Sequence, residues 1–452
     1  MTGGSGHEGQ PSAISPAESV AALTERFEAM DRSAEPLAWA AAAYKLGMAT
    51  AEQPSAQPAQ ALQRALELYQ QASVILSAER APLEHARILN AAGSAHRLLG
   101  DGSTATRLFE RSLHLLEGRG AEVEEASVFN NLGLTLAEAG QIDEAIGLFE
   151  RALASLTGDS DDVVRTRLAT LHNLGQARMG RGSPEGFHEA VAAFEAGSAA
   201  ARGFDVSMHT GLLDHSRGVA HKALADLEPT DRERHLTAAI DAFEQSLAVF
   251  TSVGFPMHHA IAKHNLGHTL AGRDDLDSMR RGLACYEDAL HMFDPRLHQA
   301  HWQEAYNNAE ALEARLLQIE PNASRADHIA SLSGSMPDDE RLTFLRHRLL
   351  VLEPLPEKHR HERLTAFCYA MVTQEPASFV ATLRTMITVL MELPEPVLES
   401  ALRSLLRAHA MLDPRDQRAA DFVLDEAVQS LLFGPQRVRV RDMLEDIGWN
   451  RP

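Results

Sequence analysis

The chain has 452 residues with 42 Lys+Arg against 63 Asp+Glu, a formal net charge of −21. So acidic a surface repels phosphate backbones and excludes a general nucleic-acid binder. With 44% apolar and 23% charged residues the composition is that of a globular chain, and 29 Gly and 20 Pro exclude collagenous or broadly disordered readings. Only Cys285 and Cys368 are present, too few for a disulfide framework or a cysteine zinc site. No stretch reaches the roughly 18–20 apolar residues that span a bilayer, and residues 1–14 lack a signal-peptide pattern, so a cytoplasmic protein is expected.

In chain order, residues 1–14 are Gly/Ser-rich and expected to be a disordered tail. Ser15-Pro16-Ala17-Glu18 then reads as a capping box opening a helix to about Met30. From there the sequence repeats itself. Leu89-Asn90-Ala91-Ala92-Gly93 with Gly100, Ala105, Phe109 and Ser112 superposes on Phe129-Asn130-Asn131-Leu132-Gly133 with Gly140, Ala145, Phe149 and Ala152 at every spacing. The frame continues through Leu171-His172-Asn173-Leu174-Gly175 with Phe194, then His215-Ser216-Arg217-Gly218 with Phe243, then His264-Asn265-Leu266-Gly267 with Tyr286. Trp39 to Ala43 with Tyr69 precedes these, and Tyr306-Asn307-Asn308-Ala309-Glu310 starts a fading last copy. Two breaks interrupt the frame: a polar loop over Ala51 to Gln60 and an insertion over Asp226 to His235.

Each copy predicts two amphipathic helices, with anchors at i, i+3, i+4 and i+7 in the first and Ala-x3-Phe-x2-Ala along one face of the second. Gly133 sits mid-helix, where it costs about 1 kcal/mol relative to Ala, so its recurrence predicts a close approach by another helix. Gly140 falls where the first helix must stop, a position suited to a left-handed cap. One hairpin cannot bury its apolar face, but a stack of them can.

These residues resemble the tetratricopeptide repeat. The run NNLG…G…EAI…FERAL is similar to the long repeats, about 42 residues, of kinesin light chains and many bacterial regulators. The resemblance covers about residues 34–320 and implies an all-α solenoid of about six or seven hairpins over residues 15–323, including the N-terminal capping helix. From Ser324 the register is lost. Residues 324–452 read as a separate α-helical domain of proline-separated helices: Asp338–Leu352, Glu357–Thr373, Pro376–Leu393, Pro396–Leu412, Pro414–Leu432 and Gln436–Ile447. That domain offers a route to a homo-oligomer. Arg437-Val438-Arg439-Val440-Arg441 inside it is read as a solvated helix edge.

The resemblance also implies that the first helix of each repeat lines a concave groove, with ligand-facing side chains directly after the large apolar anchor and four residues later. In this chain the first column is Asn90, Asn130, His172, His215, His264 and Asn307, all able to donate and accept hydrogen bonds along an extended segment. A purely structural role, bridging neighbouring helices, suits the same residues. The second column, Ser94, Leu134, Gln176, Val219, His268 and Ala311, is mixed. No lysine stands in the first column, so the carboxylate-clamping version of these repeats does not fit. The expected ligand is a neutral or basic protein or peptide segment held by Asn90, Asn130, His172, Gln176, His215, His264, His268 and Asn307.

Twenty-two histidines invite a metal reading. His264 and His268 share a helix face and His215 stands at the equivalent height one repeat earlier, a set that could hold a transition metal in a metal-assisted or biosynthetic enzyme. Against it, no HExxH, paired ExxH, phosphate-binding glycine loop or nucleophile elbow occurs, so no cofactor and no catalytic residue is assigned. His258-His259 are expected to be exposed loop or helix-end residues. The sequence reading is therefore a peptide-binding scaffold or adaptor, with a regulator that relays peptide binding to residues 324–452 as a further alternative.

Overall fold

The computed structural model describes residues 19–53, 57–294, 297–319, 325–350, 357–372, 374–392, 395–431, 435–446 and 448. All its regular elements are helices: α1 Val20–Glu28, α2 Pro36–Glu52, α3 Pro58–Ile75, α4 Pro82–Leu98, α5 Gly102–Leu116, α6 Glu122–Glu138, α7 Ile142–Ser155, α8 Asp161–Met179, α9 Pro184–Ala200, α10 Ser207–Leu227, α11 Arg232–Val249, α12 Pro256–Ala271, α13 Leu276–Met292 and α14 Gln299–Ile319. Beyond these come α15 Arg325–Ser335, α16 Asp338–Leu350, α17 Glu357–Val372, α18 Pro376–Leu390, α19 Glu395–Ala410, α20 Pro414–Leu431 and α21 Pro435–Asp446. The helices pack as antiparallel hairpins, α2 with α3, α4 with α5, α6 with α7 and α8 with α9 in the first unit and α12 with α13 in the second. The all-α hairpin solenoid expected from the sequence is the fold. The chain divides into two compact units, Met1–Ala220 and His221–Pro452.

Within a hairpin the ring of the second helix lies on the glycine of the first. A Cβ built on Gly93 would come 2.5 Å from Cε1 of Phe109, on Gly133 2.7 Å from Cε1 of Phe149, and on Gly175 2.2 Å from Cε1 of Phe194. Phe109, Phe149 and Phe194 are buried. The close approach is thus a ring seated on bare backbone. In the first hairpin the contact moves along one turn, with Gly47 rather than Ala43 meeting Tyr69. The first helix then ends on glycine. Gly140 has φ 80°, its N–H donates to Ala137 O at 3.0 Å, and Gln141 N–H donates to Leu136 O at 2.9 Å, which satisfies the last carbonyls.

Several boundaries differ from expectation. The Ser15 capping box lies outside the described residues; the cap seen is Ser19, whose Oγ accepts from Ala22 N–H at 3.2 Å. The two breaks lengthen helices more than loops, because α2 runs to Glu52, α3 starts at Pro58, α10 runs to Leu227 and α11 starts at Arg232. Pro58 occupies a first-turn position, where its missing N–H has no intrahelical partner to lose.

In the second unit the later helices drop the hairpin pattern. Each packs on its next-but-one neighbour, α15 on α17, α16 on α18, α17 on α19 and α18 on α20. They share a core of Phe344, Phe367, Phe379, Met386, Ile387 and Leu390. The Arg437–Arg441 segment is helical. This bundle is joined to the last hairpins by arginines. Arg348, 6% exposed at its side chain, reaches a fully buried Glu287 at 3.2 Å and donates to the carbonyls of Glu287 and Leu290. Arg363 grips both carboxylate oxygens of Glu310.

Two stability outcomes follow. Gly175→Ala is expected to lower the free energy of unfolding in urea by about 1–3 kcal/mol, despite the better helix propensity of alanine, because the new Cβ meets a buried ring. Adding Phe194→Leu should relieve part of that clash, so the two changes should not be additive. Glu287→Ala should cost about 3–5 kcal/mol, since it leaves the Arg348 guanidinium buried without its carboxylate.

Candidate functional site

In the first unit the first helices α2, α4, α6 and α8 line a cleft of about 420 Å³. Its walls carry Tyr44, Met48 and Glu52 from α2, Arg87, Asn90 and Ser94 from α4, Glu124, Ser127 and Asn131 from α6, and Thr166 from α8. The cleft therefore holds Asn90 and Ser94 of the two sequence-read columns. It also holds Tyr44 and Met48, which flank Gly47 as Asn90 and Ser94 flank Gly93.

The column residues are tied to one another. Asn131 Nδ2 donates to Asn90 Oδ1 at 2.9 Å, and Asn173 Nδ2 donates to Asn130 Oδ1 at 2.9 Å. His172 Nε2 lies 3.0 Å from Ser216 Oγ, and in the second unit Asn308 Nδ2 donates to His264 Nε2 at 3.0 Å. Each rung joins the column position of one repeat to the position after the column in the next. Asn90 Nδ2 also donates to Ser127 Oγ at 3.1 Å, and Gln176 Nε2 donates to Ser216 Oγ at 3.0 Å. The bridging role thus takes at least one polar atom from Asn90, Asn130, His172, Gln176 and His264. A primary amide carries two N–H groups and two lone pairs, so Asn131, with one N–H given to Asn90, retains capacity on its oxygen.

The remaining sequence-read residues sit as follows. Asn307 is exposed and accepts from Gln303 Nε2 at 3.0 Å. His268 is exposed while His215 is half-buried. His264 is buried, with its ring 5.6 Å from that of Tyr286. His215 belongs to the first unit and His264 and His268 to the second. His258 and His259, expected to be exposed, are half-buried: His258 lies against the Phe250 ring at 4.8 Å, and His259 Nδ1 lies 2.7 Å from Phe250 O.

One cluster escaped the sequence reading. His235, 2% exposed, sits with Nε2 3.0 Å from Glu228 Oε2 and Nδ1 3.2 Å from His221 Nδ1. The signal was present in the insertion, which supplies both Glu228 and His235.

Burial holds the His172 and His264 imidazoles below the usual histidine pKa; for His172 a hydrogen bond to Asn173 opposes it, and for His264 the charge of Glu304 does. Histidines of the unfolded chain take up protons near pH 6.5 and these two only at lower pH. Stability they contribute is therefore complete above about pH 6.5 and is lost as pH falls through their folded values. The urea midpoint should drop between pH 7.5 and pH 5, and a His172→Gln/His264→Gln protein should show a smaller drop; an unchanged pH dependence would remove these rungs as its source.

The tetratricopeptide repeat family model matches residues 84–158, which span α4 to α7. No curated relative matches the chain. Among solved structures, a kinesin light chain-like protein of Podosopora anserina with nearly identical TPR-like repeats is 18% identical, covering 48% of this chain and 98% of its own, with TM-score 0.36. The C-terminal part of a TPR repeat-containing protein from Cytophaga hutchinsonii is 14% identical, covering 60% of this chain and 98% of its own, with TM-score 0.26. A signal transduction ATPase with numerous domains and a tetratricopeptide repeat sensor, from Pyrococcus horikoshii, is 10% identical, covering 97% of this chain and 68% of its own, with TM-score 0.35. At these TM-scores the likenesses add no weight of their own. Residues 84–158 are thus similar to the tetratricopeptide repeat, and the hairpins on either side of that span, Gly47 on Tyr69 and Gly175 on Phe194, repeat the same glycine-ring packing.

Proposed function

We propose that this protein is an interaction scaffold that holds an extended segment of a protein partner in the cleft of its first unit. Repeats of this kind serve protein interaction in general, and a stack of hairpins presents a continuous surface that no single hairpin has. The observation that carries the finer reading is the cleft of about 420 Å³ itself, lined by apolar Met48 and Leu98 beside the amides of Asn90 and Asn131 and the hydroxyls of Ser94 and Ser127. Amides and hydroxyls can pair with the N–H and C=O groups of an extended backbone, while the apolar wall takes up its side chains. The overall charge of −21 favours a neutral or basic partner. We place the protein in the cytoplasm, where its two buried, unpaired cysteines would stay reduced. Among the described residues no helix is long and apolar enough to cross a membrane.

Filling the cleft tests this. Ser127→Trp is expected to weaken capture of a selected peptide by at least about tenfold, a loss of about 1.4 kcal/mol, in fluorescence anisotropy. Glu144→Trp, on an exposed site of the second helix α7, should leave it unchanged. Equal affinity in both variants would remove the cleft as the binding surface.

A further inference from the structure

The α2 end of the cleft differs from the rest. Tyr44, three residues before the glycine that meets the ring, occupies the column position filled in later hairpins by Asn90, Asn130 or His172. Tyr69 stands where later hairpins place Phe109 and Phe149, so the ring that seats on glycine here carries an additional hydroxyl. Both residues are part of the cleft lining, with their ring centroids 6.0 Å apart and the planes tilted by 47°. Glu52, also in the lining, is exposed and makes no ion pair with any described residue. The arginine of the lining, Arg87, is committed to Glu124, with its Nε 3.0 Å from Oε1. One carboxylate thus stands uncompensated beside two aromatic rings.

We propose that this corner, Tyr44, Tyr69 and Glu52 with Met48 beside them, receives a lysine or arginine side chain of the bound segment. This rests on the cleft being the binding surface. A cation over an aromatic face gains from the ring quadrupole, a carboxylate alongside adds charge attraction, and a thioether accommodates the aliphatic stem. Burial holds both phenols above their usual pKa, at Tyr44 against the opposing charge of Arg87 and with Glu52 adding to it at both rings, so they stay neutral at physiological pH. An acidic side chain would meet Glu52 and be repelled. The occupant is therefore a segment with a basic residue near one end of its contact.

The test uses the full chain and four pools of fluorescein-labelled peptides of about nine residues, randomised except for a fixed lysine, arginine, norleucine or glutamate. Anisotropy should show the lysine and arginine pools binding about tenfold tighter than norleucine, with glutamate weakest. Glu52→Gln should bring the ratio of lysine or arginine affinity to norleucine affinity to within about twofold, and Tyr44→Leu should lower that ratio with an unchanged circular dichroism spectrum. Pools that bind alike, or a basic preference that survives Glu52→Gln, would overturn the cation corner. If binding is indifferent to the fixed residue yet abolished by Ser127→Trp, the corner fails and the cleft stands. If no pool binds, both fail.

Discussion

The hairpins of this repeat array depend on an aromatic ring packed against a helix that has no side chain at that point. The contact sets how closely the two helices of a hairpin approach, and a methyl group at Gly93, Gly133 or Gly175 would occupy space the ring already fills. A mid-helix glycine costs helix propensity, which is recovered only when the ring is in place. Local and tertiary structure are therefore coupled, and each hairpin forms together with its packing.

The second level of order runs between hairpins. Asn90 to Asn131, Asn130 to Asn173, His172 to Ser216 and, in the second unit, His264 to Asn308 repeat one hydrogen bond from one first helix to the next. On the outer faces Arg181 to Asp143 and Arg281 to Glu244 span comparable intervals, but such exposed pairs contribute little each. The half-buried rungs join successive first helices, and the Asn90–Asn131 rung lies in the lining of the cleft. Under the proposed cleft reading, a partner would meet there two amides whose rotamers are already fixed by each other.

How much of this was legible can be judged residue by residue. The hairpins, the glycine caps and the later helices such as Pro414–Leu431 follow from spacing alone, because periodicity and caps are local properties. The Asn/His column was visible too, as a recurring residue type. Its partners were not, since a hydrogen bond between residues about 41 positions apart has no local signature. The clue lay in the doublets Asn130-Asn131, His172-Asn173 and Asn307-Asn308, whose second members are as regular as the first. Tyr44 was missed because the repeat frame was anchored on Ala43 and the ring contact falls at Gly47, and Glu52 because the loop expected at Ala51 hid the last turn of α2. Arg348 meeting Glu287 lies beyond any repeat logic, as it joins a hairpin to a bundle with a different packing rule.

The two ends of the helical array are finished differently. At the start, α1 offers nine residues, with Leu23 buried and the Phe27 ring 5.0 Å from that of Trp39. At the other end α13 and α14 are clasped by buried and bidentate arginines from a bundle with its own core. The Phe27–Trp39 contact and the Tyr44–Tyr69 pair both fall on the first hairpin, so among the described residues aromatic side chains cluster at this hairpin's first helix, whereas charged clasps dominate around α13 and α14.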